Sequence, residues 1–294
     1  MRSVRHERTI HAIVLALLRR RPLVSFVVIT FAWTWAYVIL FLIVFPIPDN
    51  PVRTTPGDLG PTIGAFAVTA IVAGRSGIRQ LLASIVRWRV NVGWYALALL
   101  GLPAVYTASI ALVPGALASY KPLSLSDVML FPVLYLYLGA SGGPLTEEPG
   151  WRGFALPRLQ QRWGPLAGTT IVGLIWAAWH LPNYFRPDWA AVNGGLNFSG
   201  VAVFTVAAVS FSIVITWVYN RTGGSVLLAI LLHCSLNFSQ GLNTVMFPAA
   251  ANNEVAPVAA LVLAALVVVF ATRGRLGYSA PQAATTIAPA YSTP

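Results

Sequence analysis

The sequence predicts an all-α, polytopic integral membrane protein with about eight transmembrane helices. Three observations carry that prediction. First, the 294 residues are 57% hydrophobic and only 9% charged, whereas soluble domains carry about 25% charged residues. Second, eight apolar segments bounded by charges, Gly and Pro run over 23–45, 59–73, 92–113, 128–150, 165–181, 201–219, 225–247 and 255–271, most of them near the ~20 residues that cross a bilayer. Third, with the N-terminus inside, sixteen basic residues fall on cytoplasmic segments and three (Arg53, Lys121 and Arg186) on the other side. That asymmetry favours an even number of spans with both termini cytoplasmic.

Each part of the chain fits this scheme. Residues 1–22 form a basic cytoplasmic segment carrying Arg2, Arg5, Arg8 and Arg19 to Arg21. The apolar run after it is too long for a signal-peptide core and lacks a small-residue cleavage site, so it reads as a retained first span. Residues 23–272 form a single transmembrane helical domain, and residues 273–294, small, polar and Pro-containing, form a disordered tail. The net charge of +11 sits in short clusters at span ends, not in a patch interleaved with aromatics, which excludes nucleic acid as a partner and leaves the lipid bilayer. The single cysteine, Cys234, excludes an intrachain disulfide or a cysteine-based metal cluster and reads as a small apolar helix residue.

Ionisable side chains inside spans cost at least about 2.5–3.5 kcal/mol each on insertion scales and are functional candidates by default. They concentrate around Glu147 and Glu148, at His180, and around His233 and Asn237. Glu148 and Arg152 stand four apart and can pair on one helix face, leaving Glu147 as the free carboxylate. Pro149 is expected to kink or restart the helix there. His180 follows an aromatic stripe of Trp176 and Trp179, and His233 and Asn237, at i and i+4, share a face. Taken singly, these are an interfacial carboxylate pair, an interfacial histidine and polar glue between helices. Their depths, however, match. Glu147 lies 17 residues before the turn at Gly164 and His180 lies 16 after it, while His233 and Asn237 lie 9 and 13 after Gly224. At about 1.5 Å per residue the fourth, fifth and seventh segments can therefore contribute to one buried polar site.

At these residues the sequence resembles the CPBP intramembrane protease family, which includes the type II CAAX prenyl endopeptidases and bacteriocin-processing and immunity proteins. The family pattern EExxxR appears as Glu147-Glu148-Pro149-Gly150-Trp151-Arg152. The aromatic-xxxH motif appears as Trp176 with His180, and HxxxN as His233 with Asn237. The resemblance covers about residues 145–237. It departs at Trp176, where Phe is usual in the prenyl endopeptidases.

The resemblance implies a glutamic-type intramembrane endopeptidase without a cofactor. Glu147 would be the general base, His180 would help hold the water, and His233 and Asn237 would stabilise the oxyanion. Glu148, Arg152 and Trp176 would orient them. The implied partner is a peptide or protein substrate at or in the membrane, prenylated or not, and the implied location a bacterial-type plasma membrane. Two other readings stay open on the residues. One is a zinc metalloendopeptidase using Glu147, His180 and His233, although the H-E-x-x-H signature is absent. The other is a non-catalytic immunity, scaffold or transport protein, since transporters also bury Glu and His.

Overall fold

A computed structural model describes residues 16, 18–50, 52–141, 143–193 and 195–279, with the side chains of residues 192 and 193 excepted. Most of the expected basic N-terminal segment (1–15), and residues 280–294 of the expected tail, lie outside the described residues. Ten helices organise the described chain. They are α1 (Pro22–Val44), α2 (Thr55–Ile85), α3 (Val92–Ala111), α4 (Leu125–Ser141), α5 (Pro144–Trp163), α6 (Pro165–Trp179), α7 (Pro187–Asn193), α8 (Phe198–Arg221), α9 (Val226–Met246) and α10 (Val255–Thr272). Among the described residues there is no strand.

Six helices (α1, α2, α3, α8, α9 and α10) are long and apolar enough to cross a membrane, and a seventh span results if α4 and α5 count as one bent crossing. The fifth expected span is shorter than its apolar run. Helix α6 stops after 15 residues, because Pro182 turns the chain into a 3₁₀ segment, Leu181–Phe185. The fourth is not one straight helix: α4 and α5 meet at 52°. Local chemistry sets several starts. Asn197 accepts from the Gly200 N–H at 2.7 Å to cap α8, and Ser225 accepts from the Leu228 N–H at 3.2 Å to cap α9, satisfying donors that a helix start leaves open.

Burial is distributed as a bilayer solvent requires. Met129, Val133 and Leu136 of α4 are 60–76% exposed, while Glu148, Arg152, Ser212 and Ser225 are fully buried. An apolar exterior around a polar interior suits lipid, not water. Helix α9 is the central post, packing against α3, α4, α5 and α8, while α2 lies along the first half of α5. There Gly150 permits close approach: a Cβ at that position would stand 2.6 Å from backbone atoms of Pro61, so any side chain would force α2 and α5 apart. At the C-terminal end, residues beyond α10 pack back onto the bundle. Leu276 is fully buried and its carbonyl accepts from Asn220 Nδ2 at 2.9 Å, so the ordered chain extends past residue 273, where the tail was expected to begin.

Candidate active site

The helix restart that shapes the site lies at Gly143, not at Pro149 as the proline suggested. Gly143 has φ of 96°, a conformation that glycine adopts without steric penalty, and Pro144 follows as the first residue of α5, where a missing N–H costs nothing. Pro149 sits inside α5 and is followed by a π-helical turn over Trp151–Ala155, a wider ladder that accommodates the lost hydrogen bond. Glu147 therefore occupies the first turn of α5, near its positive dipole end. Its side chain folds back so that Oε1 lies against the space where a Gly143 side chain would be.

Two indoles meet the other oxygen. Trp176 Nε1–H donates to Glu147 Oε2 at 2.5 Å, and Trp151 Nε1–H to the same atom at 3.3 Å. Glu147 is thus not the unpartnered carboxylate that the sequence suggested; it is a buried one with both indole donors on a single oxygen. Glu148, by contrast, is paired as expected. Its Oε1 accepts from Arg152 Nη1 at 3.0 Å and from His233 Nδ1–H at 2.8 Å. Arg152 Nη2 also donates to Ser212 Oγ of α8 at 3.2 Å. All of these side chains are buried, so the ion pair and its hydrogen bonds link α5, α8 and α9 away from solvent.

The two histidines flank Trp176 edge-on, each with its ring centroid 5.4 Å from the indole. His180 closes α6 and donates Nδ1–H to the Trp176 carbonyl at 2.9 Å, which leaves Nε2 with the lone pair in the neutral ring. Trp179 and Phe204 wall it at 4.7 and 4.9 Å between centroids, and it lies within electrostatic reach of both Glu147 and His233. Asn237, half-buried one turn beyond His233, lines a groove of about 250 Å³ between α4 and α9 walled by Leu130, Leu134, Leu138 and Phe238. Among the described residues, no three His, Cys, Asp or Glu side chains are grouped to hold a metal ion, and Glu147, His180 and His233 are described. That set fits a zinc site poorly.

Three contributors escaped the sequence reading. Trp151 stood out only as a motif flank, Ser212 is one of many small polar residues in helices, and Asp58 precedes its apolar segment by one residue. Asp58, at the start of α2, lies within electrostatic reach of Glu147 and of Arg186. Arg186 in turn belongs to an ion-pair network outside the spans. Asp188 pairs with Arg186 at 2.5 Å and with Arg53 at 2.8 Å. Burial pushes the Asp188 carboxyl up, but the Arg186 hydrogen bond and the charges of Arg186 and Arg53 outweigh it and hold it below the usual carboxylate range. The network ties the loop before α2 to the connector that follows His180.

The comparisons with known proteins fall on this same region. The family model described as type II CAAX prenyl endopeptidase Rce1-like matches residues 129–239, a span containing every residue of the constellation on α5, α6 and α9. Over that stretch, a little over a third of the chain, the protein is similar to the type II CAAX prenyl endopeptidases. A relative named CAAX prenyl protease 2, from Methanococcus maripaludis, is 28% identical over 204 residues, covering 64% of this chain and 70% of the relative. Both similarities point to intramembrane endopeptidases as the kind of protein this chain resembles. Its apolar helices agree with an integral membrane protein.

Gly143 is the position where backbone geometry and carboxylate placement coincide, so Gly143→Ala is expected to harm activity out of proportion to its size. An alanine at this φ costs about 1–3 kcal/mol of backbone strain, and its methyl would occupy the place of Glu147 Oε1. A displacement of the base by about 1 Å predicts a loss near 100-fold in kcat, measurable as peptide cleavage per mole of folded protein.

Proposed function

We propose that the protein is a glutamate-dependent, metal-independent intramembrane endopeptidase that cleaves CAAX-type substrates at the plasma membrane, with both termini cytoplasmic. The single observation that carries this reading is the buried Glu147 carboxylate, anchored through one oxygen by the indoles of Trp176 and Trp151, with His180 and His233 both packed against that same Trp176 ring. Such a carboxylate can take a proton from water without first breaking an ion pair.

In this reading water is held between Glu147 Oε1 and the lone pair of His180 Nε2. Its oxygen attacks the scissile carbonyl carbon as Glu147 takes its proton. The carbonyl electron pair moves onto oxygen, where Asn237 Nδ2–H and His233 Nε2–H donate to the developing oxyanion. For His233 to donate from Nε2 while donating Nδ1–H to Glu148, the ring must be an imidazolium, and the Glu148 carboxylate is the counter-charge for that form. When the intermediate collapses the C–N bond breaks, and the proton on Glu147 passes to the departing amine nitrogen. Arg152 fixes Glu148, and through it His233.

Two observations support the substrate class. The relative is named a CAAX prenyl protease, and the groove beside Asn237 is almost wholly apolar apart from Asp127 and Tyr137, which suits a lipid-bearing or membrane-embedded chain. The test is cleavage by the purified protein in proteoliposomes of a farnesylated CAAX peptide and its unprenylated twin, each with and without a zinc chelator. Preferred cleavage of the farnesylated peptide, unchanged by chelator, is expected. Equal rates on both peptides would remove the prenyl assignment, and loss in chelator restored by zinc would overturn the metal-free mechanism.

A further inference from the structure

We infer that the indole N–H groups of Trp176 and Trp151 are the positioning device that decides which oxygen of Glu147 acts as base, holding Oε2 and leaving Oε1 to take the proton. The inference rests on the glutamate-base reading above and adds to it the residues that make the base selective.

The geometry is over-determined. Trp151 reaches Oε2 from the same helix one turn on, and Trp176 reaches it from α6. Both rings are almost fully buried, at 1% and 4% exposure, so neither can swing to another acceptor. Trp151 is fixed edge-on against Phe26 and Trp179, at 5.5 and 6.0 Å between centroids. Trp176 is fixed between His180 and His233, with Phe211 at 5.9 Å. A buried indole N–H needs an acceptor, and here both rings spend theirs on one atom. The other oxygen, Oε1, lies in the place that a Gly143 side chain would fill, and no indole reaches it. Donation to one oxygen therefore leaves the carboxylate asymmetric, with its proton-accepting lone pairs directed from Oε1.

The same donors act on charge. An N–H donor aimed at a carboxylate oxygen interacts more strongly with the charged form than with the neutral acid. The titratable and charged groups facing Glu147 are Asp58 from α2, Arg152 and the adjacent Glu148 from α5, His180 at the end of α6, and His233 from α9 across the Trp176 ring. Trp176→Phe changes none of them. It keeps an aromatic ring in the packed position and removes only the N–H and the outer part of the indole.

The experiment is the pH dependence of kcat/KM for the parent, Trp176→Phe, Trp151→Phe and Glu147→Gln, each purified and confirmed folded by thermal melting. Removing a donor from the charged form is expected to move the acid limb of Trp176→Phe to higher pH by about one unit, the size of one charge-assisted hydrogen bond. KM on the alkaline plateau should not change. Trp151→Phe, which removes the longer bond, should move the limb the same way by less, and it keeps the test available if Trp176→Phe does not fold. A uniform fall in rate at all pH values with an unmoved limb would mean that the rings only pack, and would overturn the inference. The Glu147→Gln arm separates the two claims: an inactive Glu147→Gln with unmoved Trp limbs sinks the indole inference alone, whereas an active Glu147→Gln sinks the base assignment on which it rests.

Discussion

Glu147→Gln is expected to lower kcat about a thousand- to ten-thousand-fold while leaving expression, membrane insertion and thermal stability close to those of the parent. The magnitude is that of a general base removed from a reaction whose remaining donors still bind the transition state. The structural neutrality has a specific cause. Glu147 makes no ion pair among the described residues, and its Oε2 accepts two indole hydrogen bonds that a glutamine carbonyl oxygen can also accept. The amide cannot take a proton from water. Initial rates of peptide cleavage, set beside melting curves of the same preparations, check both halves. Parent-like cleavage would show that Glu147 is not the base.

Arg152→Met is expected to have the largest effect on stability, about 3–5 kcal/mol, because it strips one partner from a charge pair with no access to water. The guanidinium is fully buried and donates to Glu148 Oε1 and Ser212 Oγ. Glu148 Oε2 has no hydrogen-bond partner, so losing Arg152 would leave His233 as the sole donor on that carboxylate. Combining Arg152→Met with Glu148→Gln removes the stranded charge and should recover part of the loss. Thermal melting of the two variants in the same detergent measures this, and a double variant no more stable than Arg152→Met would show that packing, not charge, holds the network.

These two residues also show how far the sequence can be read. The i, i+4 pairing of Glu148 with Arg152 was legible because helix geometry alone brings them together. The turn at Gly164 was legible too, and counting residues along antiparallel helices puts Glu147, His180 and His233 near one level, where all three contact Trp176. The position of the helix break was not legible: Pro149 is the louder signal, yet a π-helical turn absorbs it and the break falls at Gly143. The indole contacts on Glu147 could not be read at all: which way a tryptophan N–H points depends on rings from other helices, here Phe26, Phe211 and Trp179. Nor could His233 be assigned to Glu148 in preference to Glu147, since adjacent residues on a helix diverge by about 100° and only the packing of α9 selects between them. Asp58 gives no signal as a buried charge, because it sits just outside its apolar segment.

The most direct test of the claim that Glu147 activates a water held with His180 is a structure of the purified parent at a resolution that locates solvent, recorded across the zinc absorption edge. An ordered water hydrogen-bonded to Glu147 Oε1 and His180 Nε2, with no anomalous signal beside them, is predicted. A metal ion ligated by Glu147, His180 and His233, or protein donors occupying both oxygens of Glu147, would contradict it.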